Sequence, residues 1–320
     1  MSDAAASFAI PYAIGCDIGV TNVKTVCVTP AGNVLERLST DTNADSPDWP
    51  AGVKRHLERI EARRGPTAAL GVAAPGIARR TGESIFWMQG RLDEVQDLNW
   101  AEFLGRDDVP VLNDAQAALM GEVWIGAAKG FKNIAMLTLG TGVGGALMVD
   151  RRLLRGGLGR AGHLGHMSLD IDGPLDVTNC PGSLEYAIGN VTVAERSGGR
   201  FTTTHDLIAA HLAGDTQASD VWLRSVRALA AAVASIINIA DSEAVIIGGG
   251  VSRAGDALFG PLKSYLDRYE WRPHGCRSAV LPAALGEYAG ALGVAWNAIR
   301  RWEQAAVANR ARAEDKQPDA

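Results

Sequence analysis

Basic charge is in short supply in this sequence. Its 31 Lys and Arg stand against 36 Asp and Glu, for a net charge of −5, and form no long run. That balance argues against a broad nucleic-acid or membrane-surface footprint and for a small ligand. Cysteine is scarce too: Cys16, Cys27, Cys180 and Cys276 are scattered with no CxxC pair, which fits reduced thiols in the cytoplasm. No apolar run approaches the ~20 residues of a transmembrane helix. Met1 to Ser7 lack the basic and long apolar regions of a signal peptide, so neither membrane insertion nor export is expected. What the chain does have is 320 residues, 47% of them hydrophobic and 21% charged, enough for a substantial core and more than one domain.

Tyr12 to Asp17, Val23 to Val28 and Asn33 to Leu38 read as three strands joined by Gly- and Asn-containing turns, an antiparallel meander. Trp49 to Arg63 reads as a helix and Ala68 to Ala74 as a buried strand ending in Pro75-Gly76. Val109 to Leu112 is a short strand, after which Asn113-Asp114 opens an Ala-rich helix and puts Asp114 at a strand-to-helix corner. A second Gly-rich hairpin follows: Ile134 to Leu139 and Ala146 to Val149 flank Gly140-Thr141-Gly142-Val143-Gly144-Gly145. Ser219 to Ala240, Gly255 to Arg268 and Glu287 to Arg301 read as helices, and Ala244 to Ile247 as a strand running into Gly248-Gly249-Gly250. From Ala306 a polar, frayed tail is expected. Meander, helix, strand, helix, once in each half, describes a pseudo-duplicated α/β chain with a cleft between two lobes.

The first hairpin carries chemistry. In Gly15-Cys16-Asp17-Ile18-Gly19-Val20-Thr21-Asn22-Val23-Lys24, Gly19 lets the turn bring backbone amides close to an anion, Thr21 and Asn22 add donors, and Lys24 adds charge. Asp17 is an acceptor able to hold a metal-bound water among phosphates. An ordinary hairpin with a surface Asp is the plain alternative, as an N-terminal helix acid is for Asp114 and a simple strand-to-helix turn for Gly248 to Gly250.

Asp17 to Lys24, Leu139 to Gly145 and Ile247 to Val251 together resemble the nucleotide-binding set of the sugar kinase, hexokinase and actin-like ATPase fold, and the chain is similar to the ROK proteins. Asn113-Asp114-Ala115 resembles that family's catalytic pair, and Gly159 to Met167 its sugar-binding Glu-x-Gly-His segment. The resemblance runs from about Gly15 to Ala295 and implies a two-lobed, ribonuclease H-like α/β fold with a central cleft. Residues 1–118, completed by a C-terminal helix at 290–305, would form the smaller lobe, 119–289 the larger one and 306–320 a disordered tail. It implies ATP and Mg2+, with Asp17 positioning magnesium through water, Thr141 and Gly142 donating to phosphate oxygens beside Gly140, and Gly248, Gly249 and Gly250 facing the adenosine. Asp114 would take the proton from the attacking sugar hydroxyl, Asn113 would orient the sugar, and Gly76, His163, His166 and Glu185 would line it. A homodimer is implied as well.

Two departures from the family pattern stand out. His163 replaces the Glu of the Glu-x-Gly-His segment, exchanging an acceptor for a ring that can donate or accept; a structural histidine is the alternative. Many ROK proteins also hold zinc with three cysteines and the His, but those cysteine positions are Asp176, Thr178 and Ser183 here, with Cys180 out of register. The zinc is therefore read as lost, its loop held instead by Pro174, Pro181 and capping from Thr178 or Asn179. The expected activity is a magnesium- and ATP-dependent hexose kinase acting on glucose at C6, with fructose, mannose or an N-acetylhexosamine as alternatives. The rival is a sugar-sensing ROK protein without catalysis; a DNA-binding regulator is disfavoured because residues 1–14 are too short for a helix-turn-helix. The loop from Phe86 to Trp100 is read as bordering the sugar or, equally, as core.

Overall fold

A computed structural model describes residues 10–314 except 45, 47 and 89–91. The chain divides into two compact units, one built from residues up to Ile125 and from Tyr288 onward, the other from Gly126–Glu287.

In the first unit β1 (Ala13–Ile18), β2 (Asn22–Val28) and β3 (Val34–Asp41) form the expected meander, followed by α1 (Ala51–Arg64), β4 (Leu70–Ala74), a small hairpin of β5 (Ile77–Ala78) and β6 (Ile85–Trp87), α2 (Trp100–Leu104), β7 (Val111–Asn113) and α3 (Asp114–Ile125). The sheet order is β3-β2-β1-β4-β7, with β1, β4 and β7 parallel. β4, Leu-Gly-Val-Ala-Ala, is buried throughout, as a central strand covered on both faces must be, whereas β3 alternates and turns Leu35, Arg37 and Ser39 outward at the edge. Trp100 begins α2 fully buried and packs edge-on against Trp49 at 6.0 Å. It belongs to the core; Gln89, Gly90 and Arg91 of the same loop lie outside the described residues.

The second unit contains β8 (Ile134–Leu139), β9 (Val143–Val149), β10 (Arg152–Leu153), α4 (Leu184–Ile188), α5 (Val193–Arg196), α6 (Thr204–Leu212), α7 (Thr216–Ala240), β11 (Ala244–Gly248), α8 (Asp256–Tyr269) and β12 (Ala279–Pro282). Its order, β10-β9-β8-β11-β12, repeats the antiparallel and parallel pairings of the first sheet position by position. α7 starts ahead of the expected Ser219 because Asp215 caps it, accepting the Ala218 amide at 2.8 Å. Contrary to expectation, α7 is long and apolar enough to cross a membrane by length and composition. Its stripe of Val221, Trp222, Val226, Leu229, Val233 and Ile236 is packed in this unit's core.

The chain then returns to the first unit as α9 (Ala289–Glu314). The helix was expected to stop near Arg301 and give way to a frayed tail; instead it runs to Glu314, because this stretch is rich in Ala, Arg, Glu and Gln with no Gly or Pro to end it. α9 lies against β1, β4 and α3 backbone to backbone. A Cβ on Gly15 would collide with the Ala291 carbonyl, one on Gly71 with that of Val294, and one on Gly293 with that of Ala117.

Candidate active site

The carboxyl ends of β1, β4 and β7 form one edge of the first sheet, the place where parallel sheets present ligands. Asp17 is the penultimate residue of β1, Gly76 follows β4, Asn113 ends β7 and Asp114 opens α3. Half-buried Asp17 faces Lys24 across the ladder. Burial, then the charge of Asp114, pushes its carboxyl up to about 7, with Lys24 opposing. Space for that carboxylate comes from Gly290 on α9, where any side chain would run into it. Gly290 was not singled out from the sequence; the signal was its spacing to Gly293 at a helix start, a mark of close approach.

The first turn behaves differently from expectation in one respect. The Gly19 amide is spent closing the hairpin onto the Asn22 carbonyl at 2.9 Å, and buried Thr42 ties the turn down through its hydroxyl to the Gly19 carbonyl at 2.6 Å. The amides of Val20 and exposed Thr21 have no partner among the described residues, so in this turn they, unlike that of Gly19, are left with a hydrogen to donate. Half-buried Asn22 opens β2 beside them.

Asn113 is buried and caps α3: its Oδ1 accepts the amides of Ala115 at 3.0 Å and Gln116 at 3.3 Å, while Nδ2 donates to the Gly76 carbonyl at 2.9 Å. The Asn113 side chain also hydrogen-bonds the Asp114 carboxyl, so its work is to fix the corner that presents Asp114. Gly76 has φ +99, and a side chain there would strike the Trp87 carbonyl and Ile85; this turn requires glycine. Asp114 lies at the surface, one oxygen accepting the Ala115 amide at 2.7 Å. The protein crowded about its carboxyl raises it above the ordinary value, against the hydrogen bonds from Ala115 and Asn113.

In the second unit Gly140, Thr141 and Gly142 form the corresponding turn. Gly140 donates to the Gly142 carbonyl at 2.9 Å, so its amide too is occupied, leaving those of Thr141 and Gly142 without partners among the described residues. Asn190 and Val191 grip the carbonyls of Gly140 and Thr141 at 3.0 and 2.9 Å. Glu185, on α4, accepts the Val143 amide at 2.9 Å through Oε2, and a Cβ on Gly142 would displace that carboxylate. Gly165 backs onto the Val143 carbonyl, so the His163 to His166 segment reaches the same spot as Glu185 and the turn. Gly248 ends β11; Gly249, φ +86, would clash with the Leu139 backbone if it carried a side chain; Gly250 is open.

His163 Nε2 is buried and has no partner among the described residues, and burial, then His166, lowers the ring below its ordinary pKa. His166 Nδ1 bonds Asp176 at 2.9 Å. The loop is organised by that carboxylate, which also accepts from Thr178 (amide and hydroxyl, both 2.8 Å) and the Cys180 amide at 3.0 Å, while the Gly182 amide donates to the Pro174 carbonyl at 2.8 Å and Leu175 bridges Pro181. Among the described residues no group of three or more His, Cys, Asp and Glu side chains is placed to hold a metal ion.

The glucokinase of Thermotoga maritima is 32% identical over 305 residues, covering 88% of this chain and 95% of that protein. The ROK hexokinase of Thermus thermophilus has the same fold at a TM-score of 0.81 and 28% identity, covering 92% of this chain and 99% of that one. A ROK family glucokinase from Streptomyces griseus, solved in complex with glucose and AMPPNP, has a TM-score of 0.73 at 25% identity, covering 89% and 98%. The fold is that of the actin- and hexokinase-type ATPases, and since the ROK family model matches residues 13–301, which takes in most of both units, the chain belongs to the ROK family.

Proposed function

We propose that the chain is an ATP-dependent hexose kinase that phosphorylates glucose at its primary hydroxyl. The observation that carries this is Asp114: a carboxylate held at a strand-to-helix corner by the Asn113 cap, with its affinity for a proton raised by its surroundings. Asp114 accepts the proton of the attacking hydroxyl as that oxygen bonds to the γ-phosphorus and the bridging oxygen leaves with ADP. The amides of Thr141 and Gly142, with Val20 and Thr21, donate to phosphate oxygens; Gly248, Gly249 and Gly250 leave room for the adenosine. Glu185, His163 and His166 accept from or donate to sugar hydroxyls, and Gly76 and Asn113 support Asp114.

Asp17 fits a hard divalent cation held through water, because its carboxylate sits in a cradle that a side chain on Gly290 would fill. Magnesium bound there supplies charge neutralisation on the phosphates. Lys24 adds positive charge beside it. Buried, free Cys16 and Cys27 support a reducing cytoplasm, the absence of a basic excess supports no nucleic-acid or membrane partner, and the family resemblance supports a homodimer. ADP release with ATP, magnesium and a panel of glucose, mannose, N-acetylglucosamine, N-acetylmannosamine and fructose tests the reading. Glucose is expected to give the highest kcat/KM, and no turnover of any hexose would overturn it.

A further inference from the structure

A recess of about 690 Å³ opens on the second unit, walled by one face of α7, by α4 and by the loop after Leu169. Three guanidinium groups line it, Arg196, Arg224 and Arg227, against one carboxylate, Asp170. Arg196 is held by neutral acceptors only: the Thr192 hydroxyl at 3.1 Å, the Ser225 hydroxyl at 2.6 Å and the Gly189 carbonyl at 2.8 Å. Burial presses its pKa down to about 10, a charge taken out of water without a carboxylate bonded to it. Arg224 and Arg227, exposed one turn apart on α7, have no ion pair or hydrogen bond among the described residues. Glu195, the residue before Arg196, is engaged by the Tyr186 hydroxyl.

We propose that this recess is a second binding site, for a ring-bearing phosphomonoester, whose dianionic phosphate is held by Arg224 and Arg227 in front of Arg196. The surplus of guanidinium over carboxylate is what a dianion balances, and the planar forks match phosphate oxygens. The recess is larger than a phosphate group needs and falls within the range of small-molecule sites. The rings of Tyr186 and Tyr269 line the rest of it and offer flat surface to a sugar. The site is also placed to regulate: Ser183, which caps α4, and Tyr186 both line it, and α4 carries Glu185, which holds the Val143 amide at the candidate active site.

Calorimetric titration of the full chain with glucose 6-phosphate and, separately, inorganic phosphate tests this without relying on catalysis. In wild type the ester is expected to show a binding component that Arg224→Ala/Arg227→Ala weakens at least ten-fold, with inorganic phosphate binding more weakly there. The double variant is expected to keep the wild-type kcat/KM for glucose and ATP when no phosphomonoester is added, and Arg224→Lys/Arg227→Lys to recover part of the binding. Equal affinity of wild type and double variant for the ester would overturn the proposal. So would inorganic phosphate binding as tightly as the ester, or a double variant that changes only the sedimentation of the protein, which would make this face a contact between copies of the chain.

Discussion

Asp176 and His166 meet at 2.9 Å, and the carboxylate is nearly inaccessible to solvent, with 2% of its side chain exposed. The positions that carry zinc ligands in many ROK proteins here bond one another, with Asp176 at the centre. A charge-assisted hydrogen-bond cluster thus does the closing of this loop.

Burial works to raise the Asp176 carboxyl, but the bonds from His166, Cys180, Thr178 and Ser183 outweigh it and hold it well below the usual range. A depressed carboxyl contributes stability that is present above its unfolded pKa, near 3.8, and is lost as the pH falls through the folded value. Asp176→Ala is expected to cost about 1–3 kcal/mol at neutral pH by stranding buried donors. The gap to wild type in urea unfolding should hold constant from pH 8 to 5 and narrow only in strong acid. Wild type should carry far less than one zinc per chain by elemental analysis and keep its melting temperature after chelator dialysis. Stoichiometric zinc, or a silent substitution, would contradict this account.

Asp114→Asn is expected to lower kcat by about three orders of magnitude while leaving ATP affinity intact, since the amide oxygen can still accept the Ala115 N–H. As the raised Asp114 carboxyl must be ionised to accept a proton, wild-type activity should fall with decreasing pH through a midpoint above the ordinary 3.8. Retention of a tenth of the wild-type kcat would remove Asp114 from the role of base.

Asp17 is a carboxyl whose charge is held at a cost to stability. An acid whose folded pKa is raised binds its proton more tightly in the native state, so stability grows as the pH falls from about 7 toward 3.8, and the buried charge is a burden above that window. Asp17→Asn should therefore stabilise the ligand-free protein at pH 8 by about 1–2 kcal/mol, a discount for the half-exposed position. It should also flatten the pH dependence and abolish magnesium-dependent turnover. Comparing unfolding free energies at pH 5 and pH 8 decides it: a wild-type slope in the variant would rule out Asp17 as its source.

The resemblance to the ROK proteins implies that His163 lies near the C1 and C2 end of the sugar, so His163→Glu should reorder sugars that differ at C2. The buried, unpartnered Nε2 of His163 is available to a ligand hydroxyl, and an unmet polar group costs about 1–3 kcal/mol, so kcat/KM ratios among glucose, mannose and N-acetylglucosamine are expected to shift roughly ten-fold or more. An unchanged ranking would mean that His163 does not touch the sugar.

The backbone of this protein was largely legible in its residues. Apolar alternation and Gly-rich turns located the strands around Asp17 and Gly140, and the pattern of elements revealed the duplication that the two sheet orders make explicit. What escaped was contact between distant residues. Thr42 tying down Gly19, Gly290 clearing space for Asp17, and Glu185 reaching Val143 each join residues far apart in sequence, and no local periodicity records such a pairing. The Asp176 cluster escaped for another reason: short polar side chains in a loop carry no period, and which of them becomes the common acceptor depends on burial. The hairpin of β5 and β6 was too short to register.

The close fit of α9 against Gly15, Gly71 and Gly293 sets an order of events during synthesis. Residues of the second unit are contiguous and leave the ribosome together, whereas β1 and β4 wait, one face uncovered, until the last helix emerges. The nascent chain thus matures from its middle outward, and a chain stopped after Glu287 should yield a protease-resistant core containing α7 beside an N-terminal portion that is digested.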